Sequence, residues 1–264
     1  MPDRKAGSDL ELLTQAALAA GEVARGFFET GAKSWDKPGE QGPVTEADLA
    51  VNDLLHDRLT SARADYGWLS EETPDGSARL SKERLFIVDP IDGTRSFVDG
   101  ARTWAHSLAV VENGVVTAGV VYLPMRDLLF RAETGGGAYL NDTALHVSHR
   151  EDLHGANILA TRPNMEARHW DGGTAPDFTR HHRPSLAYRL SLVAKGAFDA
   201  MMTLRPSWEW DIAAGALIAS EAGARITDRT GAPLRFNNAT PQLNGVLTAP
   251  PGLHASLLNR LAKA

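Results

Sequence analysis

Residues 85–97 read LFIVDPIDGTRSF, and this stretch decides how the rest of the chain is organised. Its first four residues are apolar and long enough for a buried β-strand. Asp89 and Asp92 follow, three residues apart, with Pro90 between them. Because proline cannot continue a strand's hydrogen-bonded ladder, the pattern predicts that the strand ends at these two acids.

The two residues after the acids, Gly93 and Thr94, favour the start of a short helix. Two carboxylates at a strand end suit a hard divalent cation such as Mg²⁺, and the free N–H groups of a helix start suit a phosphate. An ordinary Asx-type turn, built from Asp, Pro and Gly, explains the same spacing equally well. The local pattern therefore leaves a metal-assisted phosphoryl site and a plain turn both open.

Four motifs, which stand in the family's order along the chain, resemble those of the inositol monophosphatase family. They are DPIDGT at 89–94, WDIAAG at 210–215 with EAG at 221–223, EET at 71–73 and TEAD at 45–48. Together they span nearly the whole chain and are more specific than any one alone. The resemblance implies a Mg²⁺-dependent, lithium-sensitive phosphatase.

The fold that this resemblance implies is α+β, with alternating αβαβα layers of helix and sheet. Residues 1–150 are expected to form an N-terminal half with most metal ligands, and 151–264 a second half with the last ligand and the substrate-selecting residues. The polar stretch 149–153 marks the boundary. The metal site is expected between the halves, and the family is commonly homodimeric.

Composition narrows the function classes. The chain has 264 residues, no cysteine and a formal net charge of −6. Without cysteine, disulfides, zinc–thiolate sites and cysteine nucleophiles are excluded. The acidic balance argues against a general nucleic-acid binder, and no apolar run approaches membrane-spanning length. The polar start, residues 1–9, is not a signal peptide, so we expect a cytosolic protein.

Helix and turn signals predict the elements on either side of residues 85–97. An amphipathic helix is predicted to begin at Ser8 and close near Gly31, and a second is capped by Thr45. Asn113-Gly114 predicts a tight hairpin between two long strands. Residues 33–43 and 75–83 are expected to be loops, the latter mobile.

The resemblance assigns the metal ligands. They are the side chains of Glu71, Asp89, Asp92 and Asp211 and the backbone carbonyl of Ile91, enough for two or three Mg²⁺ ions. Asp211 has an alternative role as an acid that stabilises the first turn of its helix. The lysine that approaches the metal site in the family corresponds to Lys37, although a solvated loop lysine explains the same position. Glu72 is expected to point away from Glu71.

The remaining catalytic roles follow from the same resemblance. Asp48 and Thr94 are expected to orient and deprotonate the attacking water, with Glu71 beside them. Asp48 could instead serve only as an N-terminal helix acid. Gly93, Thr94 and Asp92 are expected to contact the substrate.

The substrate is predicted from residues outside the metal motifs. Residues 203–206, TLRP, lack the acid that contacts ring hydroxyls in inositol phosphatases. Residues 206–211, PSWEWD, resemble the 3′(2′),5′-bisphosphate nucleotidase branch instead, and Arg189 or Arg205 could meet a second phosphate. Adenosine 3′,5′-bisphosphate is therefore the preferred substrate, with inositol 1-phosphate and then histidinol phosphate as alternatives.

A different class also stays open. Some members of the family act as interaction proteins that bind transcription machinery or RNA. A non-catalytic member should have lost metal acids, yet none is missing here, and no basic patch is evident. The sequence therefore favours an enzyme.

Overall fold

The computed structural model describes residues 8–40 and 42–262. Residues 1–7, whose sequence argues against a signal peptide, and Gln41, within the predicted loop 33–43, lie outside the described part. The helices are α1 (Asp9–Thr30), α2 (Glu46–Ala62), α3 (Thr94–Val98), α4 (Leu186–Ala194), α5 (Glu209–Glu221) and α6 (Pro251–Leu258). No helix in the described ranges is long and apolar enough to cross a membrane.

The first part of the chain forms a short strand pair and a large sheet. The strands are β1 (Ser34–Asp36), β2 (Pro43–Thr45), β3 (Gly67–Ser70), β4 (Arg84–Asp92), β5 (Ala105–Glu112), β6 (Val115–Leu123), β7 (Leu128–Glu133), β8 (Gly137–Leu140) and β9 (Thr143–Ala144). Strands β3 to β9 form a seven-stranded sheet in chain order, in which only β3 and β4 are parallel. The hairpin at Asn113-Gly114 is confirmed, whereas residues 33–43 contain the antiparallel pair β1–β2 rather than only a loop.

Strand β4, which carries Asp89 and Asp92, continues further than predicted. The apolar run 85–88 was predicted as the strand, with residues 89–92 ending it, but β4 runs through Pro90 to Asp92. Its pairing with β5 shifts register between Asp89 and Asp92. Such an irregularity accommodates proline, because the residues inside it need not donate to the ladder. Both acids therefore stand at the end of a central strand.

A second sheet follows. The strands are β10 (Asn157–Leu159), β11 (Thr179–His181), β12 (Ala200–Thr203), β13 (Ser207–Trp208), β14 (Arg225–Thr227), β15 (Gln242–Leu243) and β16 (Val246–Ala249). Five of them form a mixed sheet in the order β11-β10-β12-β16-β14, and β13 pairs with β15. The stretch 162–178, between β10 and β11, contains three short 3₁₀ turns.

The elements stack in five layers, which confirms the α+β αβαβα expectation. Helices α1 and α2 pack on one face of the seven-stranded sheet, α4 and α5 lie between the two sheets, and α6 covers the outer face of the second. Three apolar clusters join the layers: one beneath α1 and α2, one around α4 and α5 that reaches both sheets, and one beneath α6. Gly215 allows the close approach of α4 and α5, since a Cβ there would lie 2.7 Å from the Leu190 Cβ.

Candidate active site

Three carboxylates converge between the end of β4 and the start of α5. Oxygens of Asp89, Asp92 and Asp211 lie within 4.8 Å of one another. The end of β4 supplies the first two, and the first turn of α5 supplies the third. Asp89 and Asp92 are buried, while Asp211 is half-buried on the wall of a cleft. Acids 119 positions apart in the sequence, 92 and 211, are thus brought together by the fold.

The carboxylates destabilise one another's charged forms. Burial raises the pKa of Asp89 and of Asp211 well above the ordinary value, and repulsion by neighbouring carboxylates raises it further. Burial likewise raises the pKa of Asp92 to about 6, although hydrogen bonds to its carboxylate oppose the shift. A bound cation would relieve this repulsion and hold all three groups ionised.

The donor set fits a hard divalent cation. The buried Asp89 Oδ1 has no hydrogen-bond partner anywhere in residues 8–40 and 42–262, which is costly for a buried carboxylate oxygen. Clustered carboxylate oxygens without nitrogen or sulfur donors are the ligands that Mg²⁺ prefers. The group that these acids would hold is therefore a divalent cation of the Mg²⁺ type.

Glu71 lies at the edge of this cluster, just after β3. Its side chain is not among the three within 4.8 Å, but its charge raises the pKa values of Asp48, Asp89, Asp92 and Asp211. One of its oxygens accepts a 2.8 Å hydrogen bond from Lys37 Nζ. Glu71, one of the predicted metal ligands, is thus electrostatically coupled to the three clustered acids.

The prediction that Glu72 points away was wrong. Its carboxylate accepts a 2.6 Å bond from the same Lys37 Nζ, and its side chain is only 5% exposed. The alternation rule fails because β3 has already ended at Ser70, and residues 71–73 form a turn. Burial raises the pKa of Glu72 to about 7. Lys37 therefore binds both glutamates instead of lying free in solvent.

Asp48 and Thr94 form a pair beside the acids. The Thr94 hydroxyl lies 3.1 Å from Asp48 Oδ1 and also 3.1 Å from the Ile91 carbonyl. The other Asp48 oxygen accepts bonds from the Thr45 N–H and hydroxyl, so Asp48 completes the capping box of α2 as well. Burial raises the pKa of Asp48 to about 6. The two roles weighed for Asp48, helix cap and partner of Thr94, are compatible.

Gly93 makes the turn from β4 into α3. Its φ of 102° lies in the left-handed region, which favours glycine over any residue with a Cβ. The N–H groups of the first turn of α3, starting with Thr94, have no partners within their own helix. They are the donors that sequence reasoning assigned to a phosphate.

Supporting residues that sequence reasoning missed hold the acids in place. Asp92 Oδ2 accepts 2.7 Å bonds from the Ser185 hydroxyl and the Ala187 N–H at the start of α4. On β5, His106 Nδ1 bonds the Pro90 carbonyl, and Ser107 donates to the Trp210 carbonyl at 2.9 Å. No local motif marks these three positions, because each acts on a segment distant in sequence.

A buried arginine joins the turn after Glu71 to the start of α5. Arg79 is 3% exposed and makes paired 2.7 Å bonds to the Asp75 carboxylate. It also donates to the Asn237 side chain at 2.6 Å and the Asn238 carbonyl at 3.0 Å. Glu209, also buried, accepts bonds from the same two asparagines. The expected loop at 75–83 is thus a 3₁₀ helix, Ser77–Ser81, fixed by partners more than 150 residues away.

A cleft of about 830 Å³ opens beside the acids. Glu71 and Asp211 lie on its wall, next to the indoles of Trp208 and Trp210, which stack at 4.7 Å with an interplanar angle of 8°. The exposed Arg205 lies on the same wall. The cleft therefore combines the carboxylates of Glu71 and Asp211 with a flat aromatic surface and one guanidinium.

Arg189 is placed differently from Arg205. It lies on α4 and is 8% exposed, with its guanidinium bonded to the Arg183 carbonyl and, at 3.0 Å, to His182 Nε2. The charges of Asp92 and Asp211 reach it. Two of its nitrogens are thus engaged by its own surroundings, although it stays close to the acid cluster.

Comparisons with known proteins identify the family. The sequence model of the inositol monophosphatase family matches residues 8–264. The chain is 33% identical to the inositol-1-monophosphatase of Mesorhizobium japonicum, covering 88% of this chain and 89% of that one. It is 33% identical to the histidinol-phosphatase of Mycobacterium tuberculosis (96% and 97% covered) and 28% identical to the 3′(2′),5′-bisphosphate nucleotidase CysQ of Escherichia coli O157:H7 (94% and 99%).

Solved structures agree with these relatives. The extragenic suppressor protein suhB from Bartonella henselae superposes with a TM-score of 0.79 at 28% identity, covering 94% of this chain and 96% of that one. The staphylococcal enzyme SaIMPase-II bound to 2′AMP gives a TM-score of 0.79 at 26% identity, with 94% and 91% covered. The chain belongs to the inositol monophosphatase family.

Proposed function

From this membership, we propose that the chain hydrolyses a small phosphomonoester with Mg²⁺ bound by Asp89, Asp92, Asp211, Glu71 and the Ile91 carbonyl. The observation that carries the proposal is the buried, mutually repelling carboxylate cluster beside the Asp48–Thr94 pair. Two or three ions would supply positive charge for the phosphoryl group and acidify a bound water.

The chain's own residues then have defined tasks. The Thr94 hydroxyl orients the attacking water and passes a proton towards Asp48, to which it lies at 3.1 Å. The pKa of Asp48, raised by burial to about 6, suits a base that works near neutral pH. The N–H groups of Gly93 and Thr94 hold phosphate oxygens, and Asp92, fixed by Ser185, contacts the substrate.

The preferred substrate is adenosine 3′,5′-bisphosphate. The end of β12, at Thr203, carries no acid to bind ring hydroxyls, and Arg205 stands on the cleft wall to meet a second phosphate. The stacked indoles of Trp208 and Trp210 offer a flat surface for a base. The relative CysQ and the neighbour bound to 2′AMP support a nucleotide substrate.

Inositol 1-phosphate is the second candidate, and histidinol phosphate the third. Relatives with those activities in their names are more similar in sequence than CysQ, at 33% against 28% identity. The cleft would then bind a polyol or an imidazole through contacts other than an acid near Leu204.

The test is phosphate release from the three substrates side by side in Mg²⁺, repeated with EDTA and with Li⁺. We expect activity that EDTA abolishes and Li⁺ inhibits, with the bisphosphate ahead by at least about tenfold in kcat/KM. A lead for inositol 1-phosphate would overturn the substrate assignment alone, whereas no turnover of any substrate would overturn the catalytic proposal.

We further propose that residues 1–150 and 151–264 act as two halves of one site and that the protein is a cytosolic homodimer. Light scattering on purified protein tests the dimer directly. A monomer at micromolar concentration would refute it.

A further inference from the structure

A second cavity adjoins the cleft. Its volume is about 430 Å³, and it shares the side chain of Arg205 with the larger cleft. Arg168 and His169 line it from the 3₁₀ turns of the stretch 162–178, together with the polar residues Thr161 and Asn164. No carboxylate is among its described lining residues. The cleft and this cavity thus adjoin at Arg205.

The charge around the second cavity is positive. Burial lowers the pKa of His169, and the nearby charges of Arg229 and Arg168 lower it further. Arg229 donates to the Leu204 carbonyl at 2.9 Å and so holds the backbone next to Arg205. Glu166 pairs with Arg168 at 2.8 Å, but both side chains are well exposed, and such a pair is weak. A protein of net charge −6 therefore concentrates guanidinium groups at this point.

Arg205 is available to bind a ligand. Across residues 8–40 and 42–262, its guanidinium has no hydrogen bond or ion pair, in contrast to Arg189, which bonds the Arg183 carbonyl and His182. The wall behind it is fixed, because Asn164 donates to the Met202 carbonyl at 2.9 Å. A free guanidinium on a fixed wall can bind an anion with two parallel hydrogen bonds at little ordering cost.

We propose that the second cavity is an anion subsite that binds the phosphate a bisphosphorylated metabolite keeps, with Arg168 and Arg205 as its cationic groups. This inference rests on the proposed function, since the other phosphate must lie at the acid cluster for hydrolysis. Arg205 contacts the retained phosphate from the side of the cleft, and Arg168 closes the subsite from the stretch 162–178. The subsite makes Arg168 a specificity determinant that no sequence motif indicated.

The experiment compares two substrates that differ only in the second phosphate, adenosine 3′,5′-bisphosphate and adenosine 3′-monophosphate. For Arg168→Ala we expect KM for the bisphosphate to rise about tenfold with kcat nearly unchanged. KM for the monophosphate should move by less than about twofold, and Arg168→Lys should recover part of the loss. Arg58→Ala, which removes an exposed arginine on α2, is the matched control.

A second readout needs no turnover. Adenosine 5′-monophosphate carries only the retained phosphate, and its binding by titration calorimetry should weaken about tenfold in Arg168→Ala and not in Arg58→Ala. If the wild-type protein hydrolyses neither substrate, the assignment of adenosine 3′,5′-bisphosphate as substrate fails and the subsite with it. If it hydrolyses them and Arg168→Ala shows no loss selective for the second phosphate, the subsite alone is refuted.

Discussion

The sequence predicts the cluster of Asp89, Asp92 and Asp211 more completely than the cleft beside it, although Asp211 belongs to both. At the centre, the predicted residues Asp89, Asp92 and Asp211 lie within 4.8 Å of one another. In the cleft, the two predicted arginines have different surroundings, and the second cavity beside Arg205 involves a residue, Arg168, that the sequence did not mark. Chemistry is specified by short contiguous motifs, whereas selection depends on side chains from separate loops.

The physical reason lies in what each region must do. Metal ligands need fixed positions, so they stand at the ends of regular elements, where a strand or helix start sets their direction. Groups that select a substrate can come from any segment that borders the cleft, such as the 3₁₀ turns of 162–178. The comparison therefore predicts large effects of substitutions at the centre and smaller, substrate-dependent effects elsewhere.

The largest effect is expected for Asp89→Asn. It should lower kcat by at least about a thousandfold, because Asp89 is the most buried of the three clustered acids and its Oδ1 has no hydrogen-bond partner among the described residues. Mg²⁺-dependent phosphate release measures the loss. In EDTA the melting temperature should not fall, since the change removes a repelling charge.

The control for this prediction is Asp142→Asn. The Asp142 carboxylate is fully exposed, in the turn between β8 and β9. The variant should keep wild-type turnover. An Asp89→Asn protein that also kept it would refute the assignment of the centre.

Thr94→Val should reduce kcat by about a hundredfold. The change keeps the size of the side chain but removes the hydroxyl that lies 3.1 Å from Asp48. Steady-state kinetics should show a loss in kcat rather than in KM, and Thr94→Ser should restore most of the rate. Equal rates for the valine and serine variants would show that the hydroxyl has no part in catalysis.

Arg79→Met should lower the free energy of unfolding by about 3 kcal/mol, because it breaks a buried charge network. Urea unfolding measures the change. Arg84→Met, which removes a half-exposed pair with Glu112, should cost much less and serves as the control. Similar losses for the two variants would mean that the link between the turn after Glu71 and α5 stabilises the fold no more than an exposed ion pair does.

The smallest effect on catalysis is expected at His254, on α6, remote from the acids. Burial lowers its pKa from 6.5 to about 4, so between these values the unfolded chain binds more protons than the folded one. Stability should therefore fall as pH drops from 6.5 towards 4, by up to about 2 kcal/mol from this residue.

The difference between wild type and His254→Gln isolates that contribution. The glutamine variant should show a flatter pH dependence of unfolding in this window while keeping its activity at neutral pH. Parallel pH curves for the two proteins would contradict the assignment of this loss of stability to His254.

Much of the fold was predictable because its signals are local. The cap at Ser8, the stop at Gly31 and the turn at Asn113-Gly114 gave elements that the structure confirms. The continuation of β4 past Pro90 was missed, because proline argues against a strand unless the pairing partner shifts. That shift depends on β5, which no pattern within the signature reveals.

In the site, the errors concern residues whose partners are distant in sequence. Arg79 seemed part of a polar loop, yet Asn237 and Asn238 bury it. Glu72 was predicted to point away from Glu71, yet Lys37 binds both. Local composition cannot predict burial that is created by a segment 35 or 158 positions away, and the neutralising partner is what makes such burial stable.

The most direct test of a shared centre is an anomalous diffraction map from crystals grown with Mn²⁺ in place of Mg²⁺. The account predicts a strong peak bounded by Asp89, Asp92 and Asp211, with a second beside Glu71, and loss of the first in Asp211→Asn crystals. No peak among these carboxylates, or an unchanged first peak without Asp211, would contradict the claim that both halves of the chain build one metal site.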